Sequence, residues 1–306
     1  LDGKASEYYV VIPLAFYQSI KTKMIGGGYE SKRDYYYFSD CAICQREDYY
    51  EDSHGNKIIG RHQGLKFAFS GFGSSIQIGN NVHFEDTCIY VHNNSEVNIG
   101  KGSHFQNIQI DISNSSRVEL GDETNIGNIH DRTRWSLLVG TRLKIDSGAK
   151  FNTGWLLLGK NSSLQIGKRF YVGEDYHITL DDHTSIFIGD DCLFSINVSM
   201  RSGDGHSIFD VESGENINST YEISKNRTIE IGNHVWIGMK ATILYKTKIG
   251  DGSIIGAMSL VKGIVPNNCI AAGVPIKVIR KNIAWCLENC SENIAECGYK
   301  YINCTE

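Results

Sequence analysis

The chain has 306 residues, 41% of them apolar, enough to bury a sizeable core as one large or two ordinary domains. Its net charge of −5 excludes the basic balance expected of a nucleic-acid-binding protein. No apolar run approaches the length of a transmembrane helix.

The N-terminal stretch LDGKASEYYVVIPLAFYQSI has a short apolar patch and no small-residue cleavage site, so it does not read as a signal peptide. Residues 1–70 are rich in Tyr and charge, as in GGGYESKRDYYYFSD, and form an N-terminal extension of unassigned role. Within it Cys41-Ala-Ile-Cys44 is a single CxxC. Zinc needs two such pairs, so no metal is expected and buried thiols are the default. Nine cysteines is an odd count, which disfavours a closed disulfide framework and points to a reducing, cytoplasmic setting.

From residue 71 onward one phrase recurs: SSIQIG ending at Gly79, SEVNIG at Gly100, SRVELG at Gly121, SSLQIG at Gly167, TSIFIG at Gly189 and RTIEIG at Gly232. The spacing is 21 or 22 residues where the phrase is clear and 18 from Gly232 to Gly250; between 121 and 167 it blurs. Near the end a six-residue unit runs without interruption, IGNHVW-IGMKAT-ILYKTK-IGDGSI-IGAMSL. One apolar residue every six, separated by Asn, Asp and Gly, suits short strands joined by tight corners, three to a coil. The expected fold is an all-β solenoid, a parallel β-helix over 71–280 that is broken by an inserted loop over 200–227. A leucine-rich repeat would need an Asn ladder that is absent, and a helix would need apolar residues at i, i+3 and i+4.

The stretch NHVWIGMKATILYKTKIGDGSIIGAMSLVKG, followed by AAGVPIKVIR, resembles the C-terminal coils of the hexapeptide-repeat acyltransferases, such as galactoside, maltose and xenobiotic acetyltransferases. The resemblance is specific over about 186–280 and generic before that. It implies a left-handed β-helix, although parallel crossovers are normally right-handed. It also implies acetyl-coenzyme A as co-substrate and a homotrimer with its sites between subunits.

In the resembling enzymes a coil reading Asn-Val-Thr-Leu leads into a loop whose histidine is the general base; here INVSMR leads into SGDGHSI. The match makes His206 the base that takes a proton from an acceptor hydroxyl, a task suited to imidazole. Asp204 or Asp210 could hold the ring's other nitrogen, and the sequence does not choose between them. Trp236 matches an aromatic residue beside the base, and Asn197 is either an acceptor contact or a corner former. For the cofactor, the match gives Ala257 through its backbone and Lys262, Lys277 and Arg280 toward the nucleotide end. Met239 stands where the resembling enzymes commonly carry a small residue near the thioester oxygen, leaving its backbone N–H for the oxyanion.

Residues 281–306 space Ile283, Trp285, Leu287 and Ile294 as a short amphipathic helix, expected to cap the open end of the stack. The expected function is O-acetylation of a sugar hydroxyl on a bacterial surface polysaccharide or its precursor. The alternatives are N-acetylation of an amino-sugar nucleotide and a non-catalytic β-helix scaffold. A γ-type carbonic anhydrase would need three histidine ligands on neighbouring coils, a spacing His177 and His183 do not show.

Overall fold

The computed structural model describes residues 44–286 and 301–306. It is a parallel β-solenoid whose coils each lay a short strand on three faces, paired in parallel with the strand one coil further on. The first face carries Ser75–Ile78, Glu96–Ile99, Arg117–Leu120, Arg142–Ile145, Ser163–Ile166, Ser185–Ile188 and Thr228–Ile231. The second is a ten-stranded sheet from His83–Glu85 to Lys277–Arg280. The third runs from Leu65–Ser70 through Gly154–Leu158 and Tyr176–Leu180 to Ser199–Arg201. Where the hexads are unbroken, Thr242–Ile249 and Leu260–Val265 each cross from the third face to the first.

The repeated phrase has a direct physical reading. In Ser75–Ile78 the side chains of Ile76 and Ile78 turn inward, and Ile76 is in register with Val97, Val118, Leu143, Leu164, Ile186 and Ile229, all buried. Each such side chain contributes about 1.5–3 kcal/mol of burial. The glycine that follows sits where adjacent coils touch. A Cβ on Gly79 would lie 2.6 Å from the Lys101 backbone nitrogen, and one on Gly100 would lie 2.4 Å from that of Asp122.

A second column, of small hydroxyls, lines the corner between the third and first faces. Ser74, Ser95, Ser116, Thr141, Ser162 and Thr184 each precede a first-face strand, and all are buried. Their oxygens accept backbone N–H groups of the next coil: Ser95 N to Ser74 Oγ, Ser116 N to Ser95 Oγ and Thr141 N to Ser116 Oγ are each 3.2 Å. The column ends at Ser202, whose Oγ is 2.5 Å from Thr184 Oγ1.

The coil stack begins before residue 71. Lys57–Ile59 already pairs in parallel with Ser75–Ile78, and Tyr49–Glu51 and Cys44–Arg46 add antiparallel strands at that end. The rest of the N-terminal extension, with Cys41, lies outside the described residues. At the other end the chain turns through a cis Val274–Pro275 bond, and Lys277–Arg280 folds back antiparallel on Ile270–Ala272.

Beyond this, residues 281–286 and 301–306 contain no helix. They run along the corner between the first and second faces. The His234 ring there stacks on Trp285 at 4.0 Å and on Tyr301 at 5.4 Å, and Asn268 Nδ2 donates to the carbonyls of Ile283 and Tyr301. The middle of the expected helix, 287–300, is outside the described residues.

Candidate active site

The strand Ser199–Arg201 ends at the third-to-first corner, and there the chain leaves the stack. It re-enters at Thr228–Ile231, which pairs with Ser185–Ile188 as though nothing intervened. An insertion at a corner breaks no ladder, so function can be hung on it at little cost to the fold. Inside it Phe209 and Asn216 form an antiparallel bridge, and Tyr221–Ser224 makes one helical turn.

His206 is exposed near the start of the insertion, and its ring makes no hydrogen bond among the described residues. Its backbone, in contrast, is held on both sides. Asp181 Oδ2 accepts the Gly205 N–H at 3.1 Å, and Asn218 Nδ2 donates to the His206 carbonyl at 2.8 Å. Neither aspartate orients the ring within the chain. The Asp204 carboxylate is occupied by Asn218 Nδ2 and Arg227 Nη2, each at 2.9 Å. That of Asp210 closes its own turn onto the N–H groups of Glu212 and Ser213. Partial burial works to raise the Asp204 pKa. The Asn218 hydrogen bond, the Arg227 charge and hydrogen bond and the Tyr245 hydroxyl outweigh it, holding the carboxyl below the usual carboxylate value.

The remaining residues expected at the site divide between two sides of the solenoid. Lys262 lies along the loop edge, its Nζ 4.7 Å from the Tyr245 ring centroid, and the Arg227 guanidinium is 4.4 Å from the same centroid. Trp236 is on the second face, 39% exposed, with Nε1 3.4 Å from Ser195 Oγ. Met239 and Ala257 are exposed at the corner just after that face, where the Met258 N–H donates to the Met239 carbonyl at 2.8 Å. Lys277 and Arg280 are exposed on the strand that closes the second-face sheet. Asn197 holds a left-handed corner at φ 59°, a conformation that accounts for an asparagine with no ligand.

In a three-sided coil the third-to-first corner lies opposite the second face. One chain therefore separates His206, Asp204 and Lys262 from Trp236, Met239, Ala257, Lys277 and Arg280. Sequence reasoning missed Asp181, Asn218, Arg227 and Tyr245, which fix the insertion to the stack. Arg227 had left a signal: it opens RTIEIG where the earlier phrases open with Ser or Thr.

The bacterial transferase hexapeptide family model, of six repeats, matches residues 228–263. The chain carries the hexapeptide repeat. Among curated proteins it is 31% identical over 143 residues to a polysialic acid O-acetyltransferase of Escherichia coli O1:K1 / APEC, covering 47% of this chain and 44% of that protein. It is 38% identical over 125 residues to the galactoside O-acetyltransferase of Escherichia coli strain K12, covering 39% of this chain and 55% of that one. The chain thus spans about half the length of the curated relatives it matches. Two solved structures share the fold: the polySia-specific acetyltransferase NeuO (TM-score 0.53, 24% identity, 76% of this chain and 93% of that one) and the polysialic acid O-acetyltransferase OatWY (TM-score 0.55, 23% identity, 75% and 95%). The fold is the left-handed parallel β-helix, so the expected handedness holds against the general preference of parallel crossovers.

Proposed function

We propose that the protein is an acetyl-coenzyme A-dependent O-acetyltransferase acting on a sugar hydroxyl of a surface polysaccharide or its precursor. The carrying observation is the corner insertion, which presents an exposed His206 on a tied backbone while the repeat continues undisturbed around it. The named activities of the relatives support the reaction and the class of acceptor.

In this reading the His206 imidazole takes the proton of the acceptor hydroxyl as that oxygen attacks the thioester carbonyl. The tetrahedral oxyanion is met by a backbone N–H at the Met239 corner. It collapses with loss of the coenzyme A thiolate, which receives the proton back from the imidazolium. The acetyl group moves from sulfur to oxygen with no covalent enzyme intermediate. Because one chain holds the two sets of residues on opposite sides, the complete site lies between two copies of a homotrimer. There the loop edge of one subunit meets the second face of the next. Lys277 and Arg280 are charged and exposed at the end of that face, suited to the phosphates of the nucleotide.

Among the described residues no helix is long and apolar enough to cross a membrane. Cys88, Cys192, Cys269 and Cys304 are free thiols, but Cys286 is disulfide-bonded, so the reading of every cysteine as a thiol is corrected. The cysteines then no longer argue for a reducing compartment.

The test is transfer from acetyl-coenzyme A to a panel of sugars, free, nucleotide-linked and oligomeric, read by mass spectrometry. An O-acetylated oligosaccharide whose formation falls on the order of 10²–10⁴-fold in His206→Ala supports the reading. Acetylation of a sugar amine moves it to the N-acetyl alternative. Full activity in His206→Ala removes the assigned base.

A further inference from the structure

Arg227 breaks a rule that the coils from Ser74 to Thr184 keep. Six earlier coils place a buried Ser or Thr before the first-face strand; here that place is taken by an arginine whose side chain is 5% exposed. Burying a guanidinium is costly unless its donors are used, and its Nε has no partner among the described residues. Coil packing alone therefore does not account for it, since a hydroxyl serves each of those six coils.

What Arg227 does is reach the neck of the insertion. Its Nη2 donates to Asp204 Oδ2 at 2.9 Å while the guanidinium lies over the Tyr245 ring. The same Asp204 oxygen accepts Asn218 Nδ2, which also donates to the His206 carbonyl, and Asn218 Oδ1 accepts the Ile208 N–H at 2.6 Å. The buried Asn218 thus grips the backbone at and just beyond His206 and is itself anchored through Asp204 to Arg227. None of the three side chains has a hydrogen bond to the imidazole.

We propose that Arg227, acting through Asp204 and Asn218, is a positioning residue that holds His206 in place for proton transfer. This rests on the proposed role of His206 as the base. A base works only within hydrogen-bond reach of its proton, and a displacement of about 1 Å can cost on the order of 10²-fold in rate. Glycines at 203 and 205 leave this backbone with little stiffness of its own. The latch supplies from the solenoid the rigidity that the insertion lacks.

Arg227→Ser tests this with little risk to the fold, because serine is the residue the repeat itself uses at that place. Asn218→Asp, nearly the same shape but unable to donate, tests the second link. In the full chain, three readouts are taken: acetyl-coenzyme A affinity by calorimetry, hydrogen exchange of the segment 203–209, and kcat with oligomeric sialic acid and with a galactoside. Each is repeated in a His206→Ala background. Both variants are expected to bind acetyl-coenzyme A as the parent does, to exchange faster over 203–209 and to lose roughly 10–10²-fold in kcat. In the His206→Ala background they should lose nothing further. Equal losses in both backgrounds would overturn the proposal, as would unchanged exchange over 203–209. If His206→Ala alone keeps full activity, the base assignment fails; if neither acceptor is used, the exchange result alone decides whether the latch exists.

Discussion

Trp135 donates its indole N–H to the Tyr176 hydroxyl at 2.8 Å, and both side chains are fully buried inside an otherwise apolar stack. Burial pushes the Tyr176 pKa up, although the Trp135 bond opposes this, so the phenol stays neutral. Tyr176→Phe would leave the indole N–H without an acceptor in the core. The expected loss is about 1–3 kcal/mol in denaturant unfolding. Adding Trp135→Phe removes the stranded donor but creates a cavity beside Phe151. The double variant should therefore not simply sum the two single effects, and a sum of the two would show that the pair is not coupled.

The tail offers a second check. Trp285 stacks on His234 with an interplanar angle of 7° and donates Nε1–H to the His234 carbonyl at 2.9 Å. Trp285→Ala removes both, and an aromatic pair contributes about 0.5–1.5 kcal/mol beyond its area. Limited proteolysis should then cut the tail faster while the solenoid stays intact. An unchanged cutting rate would mean that the tail is held elsewhere.

How much of this was legible in the sequence depended on whether a contact repeats. Ile76, Val97 and Val118 recur because every coil must fill the same inward position, so the β-helix could be read from spacing. The blur between 121 and 167 comes from a longer coil, 25 residues from Ser116 to Thr141 against 21 from Ser95 to Ser116, and from Asp146 standing where the other phrases close on glycine, while Leu143 and Ile145 still turn inward. His206 was visible because it interrupts the pattern. Asn218, Arg227 and Tyr245 meet only in three dimensions, and only Arg227 departs from a column that could have been aligned. The helix expected from the spacing of Ile283, Trp285, Leu287 and Ile294 falls mostly outside the described residues, and the contacts of Trp285 with His234 join segments 51 residues apart that no local spacing could pair.

Acid should loosen the insertion before the stack. The Asp204 carboxyl is held below its usual value, so its stabilising contribution is complete above the unfolded pKa of about 3.9 and is lost as pH falls through the lower folded value. Hydrogen exchange over 203–209 should accelerate in that window while exchange in first-face strands does not. Asp204→Asn should remove the acid-dependent part. Asp181, which holds the Gly205 N–H, is a carboxylate on the same loop edge, so Asp181→Asn is the control. An acid midpoint that persists in Asp204→Asn but moves in Asp181→Asn would assign the effect to the other carboxylate.

A site shared between subunits has a consequence that no single-chain site has. His206 leaves the corner opposite the face that bears Trp236, so each complete site would take its base from one copy and its tryptophan from another. His206→Ala and Trp236→Ala homotrimers should each be impaired, the first severely. When the two proteins are unfolded together and refolded, mixed trimers contain interfaces where a parental edge meets a parental face. Activity should therefore reappear in the mixture above the sum of the separately refolded proteins, because those interfaces have both residues intact. The mixture gains nothing if both residues serve a site within one chain, since every chain then carries one defect. Size-exclusion chromatography with light scattering, run on the same samples, must show a trimer. A monomer with full activity would discard the shared site and leave Trp236 as a packing residue against Trp285.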